Sequence, residues 1–279
     1  MERGSACAAV LLAIVISAGC GGPKDDPILR LSAEESLIEG KALLEAKKFY
    51  SARQYLTHAF EVEPNSESGR EALLLVADAH FLQGGSQNFI KAEAKYRDFQ
   101  NRFPTSERSA YVQYQIAASL AGRMRRPDRD QSISHDALEA YQDLLRLFPE
   151  SDKADEARRQ IEVVKATLAE AEFLVGNYNF RRARFAKCGA VCFRAAVTRF
   201  ERLLEEYPAY SEKDKIYYYL GLARLEIGED EKAEEALQLL EAEYKGSKFL
   251  QGLERDRRQI AKDRAKREQK LARKAKRRS

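Results

Sequence analysis

The stretch Asp128–Ser151, DRDQSISHDALEAYQDLLRLFPES, decides the fold, because the pattern of its second half appears in four other places along the chain. Each copy has a small alanine, then a large apolar residue four positions on, then a third apolar position after three more. The alanines are Ala52, Ala92, Ala137, Ala196 and Ala233. The large residues are Leu56, Tyr96, Tyr141, Phe200 and Leu237, and the third position holds Ala59, Phe99, Leu144, Leu203 and Leu240. Such a recurrence predicts a helical repeat array.

The spacing within each copy explains why it forms a helix that packs. Residues three, four and seven apart share one helix face, so these side chains form a single apolar stripe. The alanine admits a neighbouring helix closely, and a proline closes four of the copies because it cannot extend the hydrogen-bond ladder. A serine follows each closure and is expected to N-cap the next helix. These serines are Ser66, Ser106, Ser151, Ser211 and Ser247.

The first and last copies indicate which repeat this is. In a 34-residue unit beginning near Ala33, the small and terminating positions 8, 20, 27 and 32 hold Gly40, Ala52, Ala59 and Pro64. That pattern is typical of a tetratricopeptide repeat, and Gly221 precedes Ala233 by the same interval. No alternating strand pattern persists. We therefore predict an all-α tetratricopeptide superhelix of about five helix-turn-helix repeats over residues 32–253. Insertions are expected in its middle repeats, at 84–86, 123–134 and 177–191.

The chain begins with a predicted targeting segment. Residues 6–18 are an apolar run too short to span a bilayer, which is typical of a signal peptide, and residues 1–19 are assigned to it. The small residues before Cys20 resemble a bacterial lipobox, so Cys20 is predicted to become a lipidated N-terminus. Residues 20–31 would then form a tether. An ordinary signal peptide with an incidental cysteine is the alternative.

Longer stretches carry a family resemblance. The segment RRPDRDQSISHDALEAYQDLLRLFPES (125–151), after a lipobox and two repeats, and the later AAVTRFERLLEEYP (195–208) resemble the BamD (YfiO) family of outer-membrane assembly lipoproteins. The resemblance implies a lipid-anchored scaffold on the periplasmic face of the outer membrane. Its N-terminal repeats would receive unfolded outer-membrane β-barrel proteins. Its C-terminal repeats would bind the periplasmic (POTRA) domains of BamA, beside other assembly-machine lipoproteins.

Particular residues follow from this resemblance and from the repeat. Concave positions of the first repeats give Leu37, Lys41, Glu45 and Phe81 as a hypothetical client-binding surface, although Leu37 could instead pack between helices. A family arginine in the BamA contact falls on Arg199. This residue leaves the apolar stripe of its helix, so its guanidinium is expected to be free for a carboxylate of another protein. A pair with a glutamate of its own helix, at 205 or 206, is the alternative.

The sequence offers little for catalysis, and it predicts neither an enzyme, nor a metal site, nor a cofactor. The three histidines, His58, His80 and His135, lie far apart, and no phosphate loop or metal motif appears. Cys188 and Cys192 are the one redox candidate. Residues four apart on a regular helix have Cβ atoms about 5–6 Å apart, whereas a disulfide needs about 3.5–4.5 Å. A disulfide would therefore require non-helical backbone near Gly189, and two unpaired thiols are the alternative.

The C-terminal residues 254–279 hold thirteen Lys or Arg and four Asp or Glu, whereas the whole chain carries only +4. In an exported protein this basic helix or tail suits anionic lipid, lipopolysaccharide or an acidic partner better than nucleic acid, which is not expected as a partner. A solvated tail is the alternative. Two rival functions remain: a repeat lipoprotein of pilus or cell-division machinery, and a periplasmic thiol oxidoreductase that uses Cys188 and Cys192.

Overall fold

The computed structural model of the chain describes residues 26–185 and 188–277. After a short 3-10 helix, Pro27–Arg30, these residues form eleven α-helices. The helices are α1 Ala33–Glu45, α2 Phe49–Val62, α3 Glu67–Gln83, α4 Ser86–Arg102, α5 Ser109–Ala121, α6 Ser132–Leu147, α7 Ala154–Phe185, α8 Gly189–Glu206, α9 Lys213–Ile227, α10 Asp230–Glu243 and α11 Leu250–Lys276. No strand occurs in these ranges. The predicted signal peptide and Cys20 lie outside them.

The helices pack in consecutive pairs, which confirms the predicted repeat architecture. Each helix contacts the next, from α1 through α10, and first helices of neighbouring pairs also contact each other, as α1 does α3 and α7 does α9. All fifteen side chains of the repeated pattern are at most 3% exposed. The pattern therefore marks the residues around which the second helix of every pair is packed.

Glycines set the closest helix crossings. An added Cβ at Gly40 would lie 2.7 Å from Leu56, and one at Gly221 would lie 2.5 Å from Leu237. Both partners are the large residue of the repeated pattern. Gly176, which the sequence pattern does not reveal, holds the same place against Phe200, at 2.5 Å. The eight extra residues of this fourth repeat lengthen its two helices beyond that crossing, so the expected insertion is largely helical.

The serines after the closures behave differently from the prediction. Ser66 does N-cap α3, since its Oγ accepts a hydrogen bond of 2.9 Å from the N–H of Gly69. The other four are not N-caps. The N–H of Ser106 donates to the carbonyl of Phe103 at 3.1 Å, and the N–H of Ser109 donates to the carbonyl of Ser106 at 3.0 Å. These two successive turns place the start of the helix three residues after the serine instead of one, and the same bonds recur after Phe148 and Tyr244.

The last helix closes the array. Leu253 and Ile260 of α11 are buried, and α11 packs against α9. The expected boundary between residues 253 and 254 falls inside α11, because the helix continues without interruption into the basic segment. The predicted array and the predicted tail are therefore joined by one rigid element.

Candidate functional site

The four residues proposed to bind a client differ in how far their side chains are exposed. Leu37 is only 5% exposed and packs in an apolar cluster with Leu56 and Val76. The expectation that Leu37 faces a client is therefore wrong, because its side chain fills the space between α1 and the helices behind it. Glu45 is exposed and Phe81 is partly exposed. Lys41 also reaches the surface, where its Nζ lies 2.7 Å from Oε2 of Glu71 on α3.

Glu71 lines a groove of about 510 Å³ in the second repeat, between α3, the end of α4 and the turn that follows α4. Its floor is apolar and comprises Leu74, Phe99 and Phe103, of which the first two are buried. Its rim alternates charges of both signs, from Glu67, Arg70, Glu71, Arg102, Glu107 and Arg108. This lining, with six charged residues around three large apolar ones, is more polar than the mainly apolar pocket typical of a small-molecule site.

Two of the rim arginines are held by aromatic rings rather than left to solvent alone. The guanidinium of Arg70 lies 6.0 Å from the ring centroid of Phe103, and that of Arg102 lies 5.4 Å from the ring of Phe60. A cation over an aromatic face is attracted by the ring quadrupole. The groove thus presents oriented cations beside an apolar floor.

A partly buried carboxylate supports the same repeat. Asp78 accepts hydrogen bonds from the hydroxyls of Tyr96, at 2.6 Å, and Tyr111, at 2.8 Å. Burial raises the pKa of the Asp78 carboxyl, and the two hydrogen bonds oppose this rise. Because Asp78, Tyr96 and Tyr111 come from α3, α4 and α5, the network ties the second repeat to the third.

The corresponding cluster in the C-terminal half contains a cation. The Nζ of Lys215 lies 2.6 Å from Oε2 of Glu170, and Tyr210 donates its hydroxyl to the same carboxylate. The ammonium also lies 4.2 Å from the ring centroid of Phe173. Burial lowers the pKa of Lys215, but hydrogen bonds to Glu170, Glu212 and Tyr210 together raise it above its usual value. No local spacing announces this cluster, since its members lie on two repeats.

Arg199 is not free, contrary to the expectation. Its Nη1 lies 2.8 Å from Oε2 of Glu172 on α7, while the neighbouring Arg202 takes the local partner Glu206. The Arg199 side chain remains 38% exposed. The guanidinium therefore presents part of its donor set at the surface, with one carboxylate already bound.

Cys188 and Cys192 form a disulfide with a Cα–Cα distance of 5.6 Å. Gly189 between them has φ of 41°, so the backbone leaves helical geometry there, as bonding between cysteines four apart requires. A positive φ is a conformation that glycine adopts without strain. Cys192 is buried, which limits access of a second thiol to its sulfur.

The loop that carries the family resemblance is closed upon itself. The side-chain amide of Gln131 donates to the carbonyls of Arg126 and Arg129, both at 2.9 Å. Its Oε1 accepts from the hydroxyl of Ser134 at 2.8 Å, and Asp130 accepts from the hydroxyl of Ser132. These bonds make the DRDQ segment a structural start for α6 rather than an open site.

The histidines and acidic residues form no metal site within the described ranges. Among these residues no group of three or more His, Cys, Asp or Glu could hold a metal ion. His58 bonds the carbonyl of Leu31, and burial lowers the pKa of His80 to about 4. No described helix is long and apolar enough to cross a membrane.

Comparison with known proteins gives these features a family. The model of the YfiO family, described as an outer membrane lipoprotein, matches residues 31–239. The outer membrane protein assembly factor BamD of Caulobacter vibrioides is 26% identical over 247 residues, which cover 87% of this chain and 76% of that protein. BamD of Rickettsia prowazekii is 24% identical over 241 residues, 86% of this chain and 92% of the relative. The crystal structure of MamA protein superposes with a TM-score of 0.39 at 15% identity, covering 77% of this chain and 96% of MamA, too loosely to support an inference. The chain belongs to the YfiO family of outer membrane lipoproteins.

Proposed function

We propose that this protein is a lipid-anchored periplasmic scaffold of the β-barrel assembly machinery. It works by binding and not by catalysis: the N-terminal repeats hold an unfolded outer-membrane protein, and the C-terminal repeats dock on the periplasmic domains of BamA. Lipidation at Cys20, which lies outside the described residues, keeps both reactions at one membrane. The relatives named as outer membrane protein assembly factors support the proposal.

The groove beneath the second repeat is the observation that carries the client-binding part. An extended segment would place an apolar side chain on the floor formed by Leu74, Phe99 and Phe103. Its backbone or terminal carboxylate would meet Arg70, Arg102 or Arg108 on the rim, since guanidinium binds carboxylate through two hydrogen bonds. The Lys41–Glu71 pair extends this surface toward the first repeat. A groove of this kind accepts many sequences, which a general assembly factor requires.

Site-specific photocrosslinking tests the client surface. A crosslinker at Arg70, Lys41 or Phe81 should capture an arriving outer-membrane protein in the envelope. Tyr50 is the matched control, because it is an exposed aromatic on α2, the second helix of its pair. Crosslinks from Tyr50 as strong as those from Arg70, or crosslinks confined to the last repeats, would contradict a client groove in the second repeat.

The BamA contact is proposed at the exposed side of the Arg199–Glu172 pair. Arg199→Glu should weaken the free energy of BamA binding by roughly 2–5 kcal/mol if the contact is buried in the complex. Less BamA should then co-purify from detergent-solubilised envelopes. That substitution also places two carboxylates together within the protein, so it needs a control.

The exchange variant Arg199→Glu/Glu172→Arg supplies this control. It restores an internal ion pair but leaves a carboxylate at position 199. If Arg199 contacts BamA, the exchange variant should melt like the wild type and still bind BamA weakly. Recovery of full binding would show that only the internal pair matters, and an undiminished Arg199→Glu complex would remove Arg199 from the interface.

A further inference from the structure

Helix α11 separates its cations onto two sides. On the side that meets the array, the apolar residues Leu253 and Ile260 are buried. Three arginines on this side each find a carboxylate on a neighbouring helix: Arg257 pairs with Glu234, Arg264 with Asp230, and Arg267 with Glu226 at 2.7 Å. These contacts fix the rotation of α11 about its own axis.

The opposite side carries a second set of cations, which we call the basic face. It comprises Arg258, Lys262, Lys266, Lys270, Arg273 and Arg277, all exposed. None of these side chains forms an ion pair or hydrogen bond with another described residue, in contrast to the three docked arginines. With about 100° of rotation per residue, the six lie within roughly 120° of arc, centred away from Leu253 and Ile260. No Asp or Glu falls within that arc between positions 258 and 277.

Apart from Arg273 and Arg277 beside the helix C-terminus, where cations are favourable, the fold gains nothing from this arrangement. Lys262, Lys266 and Lys270 are spaced by four residues, so like charges stand one turn apart, which destabilises a helix. Helix propensity does not explain why lysine occupies these positions either, because glutamate and glutamine have helix propensities similar to that of lysine. The face is about 28 Å long, and it accounts for much of the positive charge of a chain whose total is only +4. A surface with these properties is suited to an anion outside the protein.

The composition of the face distinguishes between possible occupants. The cores of protein–protein interfaces are enriched in aromatic residues and methionine and depleted in lysine. The basic face has no aromatic residue or methionine, and the uncharged residues within its arc are Gln259 and Gln269. Leu271 is 67% exposed but lies on the docked side of the helix. Clusters of Lys and Arg without apolar anchors bind anionic lipid surfaces through the potential of the headgroups. Membership of an outer membrane lipoprotein family brings the chain to such a surface.

From these observations we infer that the basic face of α11 binds the anionic phospholipid headgroups of a bilayer. The protein would then hold the membrane through its C-terminal helix as well as through its N-terminus. Binding by α11 does not depend on the client groove or on the BamA contact, so it goes beyond the proposed function and can fail or succeed independently of it.

Vesicle co-sedimentation tests this inference. The chain carrying Cys20→Ser removes any acyl contribution and serves as the common background. The measured quantity is the ratio of affinity for vesicles with phosphatidylglycerol to affinity for vesicles of phosphatidylcholine alone, so that binding by the N-terminal segment cancels. Removing three charges from the basic face, with Lys262→Gln/Lys266→Gln/Lys270→Gln, should lower this ratio at least about tenfold. The remaining preference should weaken further as salt screens it.

A variant with the same net charge provides the matched control. Arg257→Gln/Arg264→Gln/Arg267→Gln removes three charges from the docked side, and it should keep most of the anionic preference. Helicity by circular dichroism verifies that α11 is retained in both. An equal loss in the two variants would mean that total charge matters and not the face, which overturns the inference. A wild-type chain that shows no preference for anionic vesicles would also overturn the inference, whether or not that chain binds an acidic protein instead.

Discussion

The two halves of the array link neighbouring repeats through different side-chain contacts. In the N-terminal half, the carboxylate of Asp78 links neighbouring repeats through two tyrosine hydroxyls and no ion pair. In the C-terminal half, Glu170 does so through Tyr210 and the buried ammonium of Lys215. The helix crossings vary as well, since Gly40 and Gly221 admit a flexible leucine whereas Gly176 admits the rigid ring of Phe200. The repeats are thus joined by bridges of different charge, and the repeated pattern does not fix their positions, since Asp78 lies fourteen residues before Ala92 and Glu170 twenty-six before Ala196.

Breaking the C-terminal bridge should have the largest effect. Lys215→Met leaves Glu170 without its cation and should cost roughly 3 kcal/mol, toward the low end for a buried pair because Glu170 is partly exposed. Chemical denaturation measures this cost. Lys215→Met/Glu170→Gln should recover part of it, because no uncompensated charge remains. Equal losses in the single and double variants would show that the contact of the ammonium with the Phe173 ring, and not the charge of Glu170, holds the bridge.

The rigid crossing should be less tolerant than the flexible one. Gly176→Ala places a Cβ against the buried ring of Phe200 and should cost about 1–3 kcal/mol by overpacking. Gly40→Ala should cost less, because the end of Leu56 can move. Thermal melting compares the two with Gly246→Ala, where an added Cβ meets nothing within 4 Å. A Gly176→Ala protein as stable as the Gly246→Ala control would contradict the close crossing.

The two bridges should also respond differently to pH. Asp78 has a folded pKa raised above its usual 3.8, so its contribution to stability is fully present below that value and is lost as pH rises through the raised pKa. The free energy of unfolding of the wild type, relative to Asp78→Asn, should therefore fall from about pH 4 upward until the carboxyl is ionised. The raised pKa of Lys215 places the loss of its contribution above the usual 10.5. The difference in the free energy of unfolding between Lys215→Met and the wild type should consequently show no change from titration of the lysine between about pH 4 and 7.

The surface pair should have the smallest effect on stability. Arg199→Gln and Glu172→Gln each break an ion pair that is partly exposed on both sides, and each should change the free energy of unfolding by at most about 1 kcal/mol. A double-mutant cycle measured by denaturation gives the pair energy. A coupling of several kcal/mol would mean that Arg199 is a structural residue, and loss of BamA binding could then follow from instability.

Sequence reasoning works where a signal repeats locally. The apolar stripe from Ala137 to Leu144 recurs with fixed spacing, so the buried face of each second helix can be predicted from that spacing alone. Gly176 escapes the pattern because twenty residues, and not twelve, separate it from Ala196. The N-cap prediction is wrong for four of the five serines, and at three of them the reason is that the residue types of a closure do not reveal the two turns that follow it.

The candidate sites are predicted less well, because they depend on distant partners. Glu172 lies on another helix from Arg199, twenty-seven residues away, so no helical spacing could pair them. The repeat position of Leu37 assigns it to a concave surface, but an apolar side chain there is worth more in the core between α1 and α3. The groove under the second repeat combines two helices and a turn, and sequence alone identifies only its neighbour Lys41.

The double turns after Phe103, Phe148 and Tyr244 have a consequence for how this protein can change over generations. They fix the step from one helix pair to the next with the same two hydrogen bonds, so adding a residue there would alter the step itself. The connections within pairs face no such constraint, and they range from the two glycines at 84 and 85 to the loop at 122–131. Insertions and deletions should accordingly accumulate along one edge of the array. Related proteins should then differ along that edge, where new partners can bind, while the curvature of the array stays the same.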